Sequence, residues 1–188
     1  MDRPSVDDVL AACCRALLER TGVDRVTVRV DLPQAGWAVD TVAAEACRPG
    51  TRSIAGDSSL DQRRLQTVTW LEQHRRPLVQ PDFSLPPFPP PELVDIYGVR
   101  AQILVPLDLG ADDDSVGERD SAGEGVSGGL LVGWLSVHSG QVRPWTELDI
   151  AAACTTAAAI SELFHQRLPA PQRPGHLGGG QVGPEEAG

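Results

Sequence analysis

Two segments constrain this chain more than any other feature. RAQILVPLDL, 100–109, and GLLVGWLSVHS, 129–139, are apolar at consecutive rather than alternate positions. Successive side chains of a strand point to opposite faces, so a strand of this kind needs cover on both. Both segments therefore belong in the middle of a sheet with a layer on each side. In the second, one face holds Leu131, Gly133, Leu135 and Val137, and the other holds Leu130, Val132, Trp134, Ser136 and His138. The latter set is larger and more polar, as a pocket floor would be. Gly133 suits a place where a helix packs tightly on the sheet.

The remaining elements follow from local signals. Ser5, with Asp8 three residues later, caps a helix from about Val6 to Arg20, which Gly22 stops. RVTVRVDL, 25–32, alternates valine with Arg25, Thr27 and Arg29, the period of a half-buried strand. WAVDTVAAEA, 37–46, reads as the second arm of its hairpin. A helix from about Leu60 to Arg75 is ended by Pro77. PLVQPDF is a short extended piece, SLPPFPPPE a polyproline-like crossing, and ELVDIYG a helical turn. GWLSVHSGQVRPWTELD, 133–149, joins a core strand to a helix. Thr146 is the cap, Asp149 sits at the third helical position, and Trp145 can staple onto Ile150. This helix runs to about Arg167 and is rich in alanine.

The 188 residues suffice for one domain with a real core, placed at 1–167. Residues 168–188 form a Pro/Gly-rich tail expected to be flexible, and 110–128 a mobile acidic loop with six carboxylates against one arginine. The net charge of −10 argues against nucleic-acid binding. No secretory signal or membrane-spanning run is readable. Cys13, Cys14, Cys47 and Cys154 form no CxxC pair, so a cytoplasmic protein with reduced thiols is expected.

GVRAQILVPLDL, then GGLLVGWLSVHS, then RPWTELDIAAACTTAAAI, resemble the GAF domain family in order and spacing, with Gly98, Pro106, Leu107, Gly133, Leu135, Thr146 and Leu148 on its landmarks. The resemblance spans roughly 5–167 and is sharp over 98–163. It implies an α+β fold, with a central antiparallel sheet, the N- and C-terminal helices on one face and a ligand pocket on the other.

Pockets are apolar with a few placed polar groups. The candidate ligand-binding residues are Asp82, Phe83, Tyr97, Gln102, Trp134, His138, Trp37, Trp70 and His74. Asp82 and Phe83 rank first, because the resemblance places ligand-proximal residues there. Each has an ordinary structural reading too: Trp70 and Trp134 as core, His74 as a charge at a helix end. The cysteines lie away from the pocket segments, which disfavours the methionine sulfoxide reductase activity of some GAF proteins. No Cys-His dipeptide is present for a bilin, and no cyclic-nucleotide pattern is readable. His138 and His74 could ligate a haem without standing out. No metal spacing or catalytic motif occurs, and the sequence leaves the cofactor unknown. The expected function is a small-molecule-binding sensory or regulatory module, acting through a protein partner or a homodimer built on the terminal helices. A ligand-free interaction module with a filled pocket ranks second. A pocket enzyme using His74 or His138 with Asp82 ranks third.

Overall fold

Ser5 fixes where the first helix begins. Its hydroxyl accepts from the Asp8 amide at 3.1 Å, and the Asp8 carboxylate accepts from the Ser5 amide at 3.2 Å, the reciprocal pairing of a capping box. Helix α1 (Val6–Thr21) ends at Gly22 in the left-handed region, φ 64°. There follow β1 (Arg25–Val30), β2 (Ala44–Cys47), α2 (Gln66–His74), β3 (Leu78–Gln80), α3 (Pro91–Asp95), β4 (Ala101–Leu109), β5 (Leu130–Ser139) and α4 (Glu147–Arg167). The structure, a computed structural model, describes residues 3–85, 91–109 and 130–167. The acidic loop, the tail and most of the proline-rich crossing lie outside the described residues.

The strands form one sheet in the order β2-β1-β5-β4-β3, with every neighbouring pair antiparallel. The two doubly apolar segments are adjacent, as expected, with Val137 opposite Ile103 and Leu135 opposite Val105. Helices α1 and α4 cover one face. Leu10, Cys14 and Leu17 of α1, with Ala153, Ala157, Ile160 and Phe164 of α4, meet the valines of β1 and Ile103, Val105, Leu107, Leu135 and Val137. Full burial of a side chain such as Ile160 contributes about 1.5–3 kcal/mol. A second apolar cluster on the opposite face joins Val68 and Leu71 of α2 to Ile54, Leu93, Tyr97, Leu104 and Trp134.

Three details differ from the sequence expectation. The hairpin arm is only Ala44–Cys47, and the connection before it is irregular, with a 3-10 turn at Pro33–Ala35. The helix expected from Leu60 is broken into a 3-10 turn, Gln62–Arg64, and α2. Gly133 serves strand packing, not helix packing: a Cβ there would lie 2.1 Å from the Arg29 carbonyl oxygen. It adjoins a bulge. Leu107 pairs with Gly133 but Asp108 pairs with Leu131, so Val132 is the extra residue and joins the helix-side core. The alternation read from the sequence fails at that point.

The joint between β5 and α4 is scaffold. The Arg143 amide donates to the Pro81 carbonyl at 2.9 Å, and its guanidinium donates to the Thr21 carbonyl at 2.8 Å. The Trp145 indole donates to the Gln80 carbonyl at 3.1 Å. Thr146 and Asp149 form a second capping box, each amide donating to the other side chain at 3.1 Å. Trp145 and Ile150 both pack against the helix-side core.

Candidate functional site

On the face away from α1 and α4, the middle of the sheet is polar and buried. Cross-strand register sets Arg25 beside His138, Thr27 beside Ser136 and Arg29 beside Trp134. On the far side of β5, Gln102 sits beside His138 and Leu104 beside Ser136. Arg25 is 3% exposed, Arg29 2% and His138 6%. The alternation in 25–30 is therefore real, but its polar half points under a roof rather than to solvent. That roof is the Gln62–Arg64 turn, α2 and α3.

Between floor and roof lies a cavity of about 20 Å³, lined by Thr27, Arg29, Gln62, Thr67, Tyr97, Gln102, Trp134, Ser136 and His138 among others. A single water fills such a space. A second cavity, about 140 Å³, lies beside Asp24, Arg25, Thr51, Gly98, Val99 and Ser139 and shares Tyr97 and His138 as lining.

The two buried arginines differ. Arg25 is engaged at both ends of its guanidinium: its Nη1 donates to the Tyr97 carbonyl at 3.2 Å and its Nη2 to the Arg52 carbonyl at 2.6 Å. Its Nε lacks an aligned hydrogen bond but lies 3.5 Å from Glu45 Oε1, which balances the charge. Arg29 has no such counter-ion. Its Nη1 donates to the carbonyls of Val39 at 3.1 Å and Asp40 at 3.0 Å, and its Nη2 is buried with no partner. The Tyr97 hydroxyl and the carboxylates of Asp40 and Asp57 favour the Arg29 charge, but none makes an aligned hydrogen bond to Nη2. Burial pulls the Arg29 pKa below the ordinary arginine value, yet a guanidinium stays charged at neutral pH. Among the described residues, no carboxylate forms an ion pair with it.

Two further residues lining the inner cavity each hold a buried polar atom without a partner, Thr67 Oγ1 and His138 Nδ1. Burial, reinforced by the Arg25 and Arg29 charges, pushes His138 down to about 3. The imidazole is therefore neutral and available as a donor or acceptor. Gln102 is occupied, donating to Gln80 Oε1 at 2.6 Å.

Of the nine sequence candidates, Tyr97, Gln102, Trp134 and His138 come together around the inner cavity. The others do not line it. Trp37 lies on the opposite side of the sheet, its ring 5.7 Å from Phe164. Trp70 stacks on His74 at 4.3 Å with Arg76 over its ring, and His74 is exposed. Phe83 is core of the roof side. Asp82 organises the turn after β3, accepting from the Ser84 amide at 2.8 Å. His74, His138 and Asp82 therefore do not form one site. Sequence reasoning put Ser136 on the pocket-floor face without making it a candidate, and missed Thr27, Arg29, Gln62 and Thr67. The available signal was the parity shared by Thr27, Arg29, Ser136 and His138 on neighbouring strands. Gln62 and Thr67 carried none.

No group of residues suited to a metal occurs among the described residues, and no described helix is long and apolar enough to cross a membrane. A search of curated proteins finds no match. Among solved structures, the blue-light-absorbing form of the Thermosynechococcus elongatus PixJ GAF domain is 20% identical, with TM-score 0.59, covering 86% of this chain and 88% of its own. A far-red cyanobacteriochrome photoreceptor is 19% identical, with TM-score 0.64 and coverage of 86% and 87%. A domain attributed to a two-component sensor histidine kinase of Sinorhizobium meliloti 1021 is 14% identical, with TM-score 0.55 and coverage of 87% and 93%. These likenesses establish the fold. The GAF domain family model matches residues 5–163, and the chain belongs to the GAF domain family.

Proposed function

We propose that this domain is a small-molecule-binding sensory or regulatory module, with its ligand held between the polar floor of the sheet and the roof made by α2 and α3. One observation carries the reading: Arg29, Thr67 and His138 line one cavity, and each holds a buried polar atom with no protein partner. Buried polar groups in folded proteins are otherwise satisfied. The fold's likeness to photoreceptor and sensor-kinase domains fits this role.

At about 20 Å³ the inner cavity is nearly filled, so a ligand larger than water requires the roof to move. A ligand that binds the open roof better than the closed one shifts the balance between them. The output leaves through α1 and α4, to a partner protein or a second copy. The face of α4 that exposes Leu148, Ala151, Ala158 and Ala159 is suited to such a contact. Native mass spectrometry of the purified protein tests the reading, together with hydrogen exchange on the liganded form. A co-purifying small molecule, with protection gained in 62–74, is expected. Sedimentation equilibrium tests the dimer; a monomer at all concentrations removes it.

The small cavity volume favours one other reading, an interaction module with a closed pocket. That reading gains ground if no small molecule is retained and exchange in 62–74 is unaffected by any compound tried.

A further inference from the structure

We infer that the inner cavity is the seat of a single carboxylate-type monoanion, held by Arg29 Nη2 with Thr67 Oγ1 and His138 Nδ1 as additional donors. The inference rests on the sensory-pocket reading and specifies the chemistry of its ligand.

Charge is the first argument. A buried guanidinium without a counter-ion is unfavourable, and the usual remedy is a paired anion. Arg25, four residues earlier on the same strand face, has that remedy in Glu45. Arg29 has none among the described residues, and its free Nη2 is fully buried. Asp40 and Asp57 favour the Arg29 charge without forming an ion pair with it, so the place beside Nη2 calls for one negative charge, not two.

Geometry is the second. Arg29, Thr67 and His138, each with an unpartnered buried atom (Nη2, Oγ1 and Nδ1), line the one cavity from β1, α2 and β5, that is, from the floor and the roof. A carboxylate accepts about four hydrogen bonds and takes a guanidinium edge well. Size is the third argument. A space for about one water suits a planar head of two oxygens after a small roof adjustment. A tetrahedral phosphate is larger and carries more charge than Arg29 alone offsets. The adjoining cavity of about 140 Å³, which shares Tyr97 and His138, has room for the remainder of a short organic acid.

The test is isothermal titration and thermal unfolding of the full chain in chloride-free buffer at constant ionic strength. The probes are sodium formate, the straight-chain acids from acetate to butyrate, formamide, acetamide and inorganic phosphate. Saturable binding of carboxylates, absent with the amides and weaker with phosphate, is expected. If formate binds as well as its homologues, the occupant is a lone small anion; tighter binding with chain length assigns an organic acid. Arg29→Gln is expected to weaken binding at least about 30-fold. Should that variant fail to fold, Thr67→Val removes one donor and no protein hydrogen bond, with about tenfold weakening expected. Amides binding as well as acids, phosphate binding better than acids, or no effect of either folded variant would overturn the assignment. So would the absence of saturable binding by every carboxylate. A neutral compound found by native mass spectrometry would then leave the pocket reading standing without its anion.

Discussion

His138 gives the wild-type protein a defined acid sensitivity. In the unfolded chain its imidazole takes a proton near 6.5; in the folded protein it does so only at about 3. The folded state therefore binds fewer protons between those values. Stability contributed by keeping this group neutral is complete above about 6.5 and declines as the pH falls toward 3. Each pH unit below the unfolded value costs about 1.4 kcal/mol, so His138 alone removes about 2 kcal/mol between about pH 7.5 and about pH 5. The charges facing it are the cations of Arg25 and Arg29, which reinforce the direction. Asp8, Asp57, Asp82 and Asp149 are held below the usual carboxylate range, chiefly by hydrogen bonds in the first three. Their contributions are lost only below that range. The assay is urea unfolding of wild type and His138→Asn across that interval. The variant starts less stable, but its pH profile is expected to be flatter by about 2 kcal/mol. Parallel profiles would mean that the imidazole titrates in the native state as it does in the unfolded chain, solvated and not buried, and the buried-donor description of the site would be wrong.

Other consequences are direct. Gly133→Ala places a methyl 2.1 Å from the Arg29 carbonyl oxygen, and a loss of about 3 kcal/mol or more is expected in the urea midpoint. Asp149→Ala removes half of a capping box and the carboxylate 3.3 Å from Arg143; a loss of about 1–2 kcal/mol is expected by thermal unfolding. Burial pushes the Cys14 thiol up to about 12, so an aromatic disulfide reagent should reach it only on unfolding. Modification of Cys14 in the native state at the rate of a free thiol would refute its placement in the core.

The fold was legible because its signals are local or periodic. Ser5 with Asp8, and Thr146 with Asp149, announce helix starts through chemistry confined to four residues. The doubly apolar strands announce the centre of the sheet through a pattern that no edge strand needs. What escaped was set by neighbours distant in sequence. The bulge at Val132 depends on the register with β4, and the need for Gly133 comes from the β1 backbone. A single strand's pattern contains neither.

The site was half legible for the same reason. Aromatic and histidine residues on β5, and Tyr97 and Gln102 beside it, could be grouped by parity and order. Arg29 shares that parity but reads otherwise, because arginine alternating with valine is the ordinary mark of a solvated strand face. Only the roof turns that face inward. Trp37 and Trp70 misled in the opposite sense: an aromatic ring says that a surface is near, not which one.

Arg29 also separates a functional pocket from a core that merely happens to be polar. If the guanidinium is there to bind a ligand, it burdens the ligand-free fold, and an apolar residue of similar length should be tolerated. Replacing buried charges by packed apolar groups is often neutral or stabilising by about 1–4 kcal/mol. Against this, Arg29→Met leaves the carbonyls of Val39 and Asp40 without their donor, about 0.5–1.5 kcal/mol each. Asp40 is exposed and regains water. The expected net change, by urea unfolding of the ligand-free protein, is within about 1 kcal/mol of wild type or favourable, together with loss of formate binding. A loss above about 3 kcal/mol would identify Arg29 as a structural tie between β1 and the 39–40 segment. The unpartnered Nη2 would then be a by-product of that tie, and the case for a bound anion would fail with it.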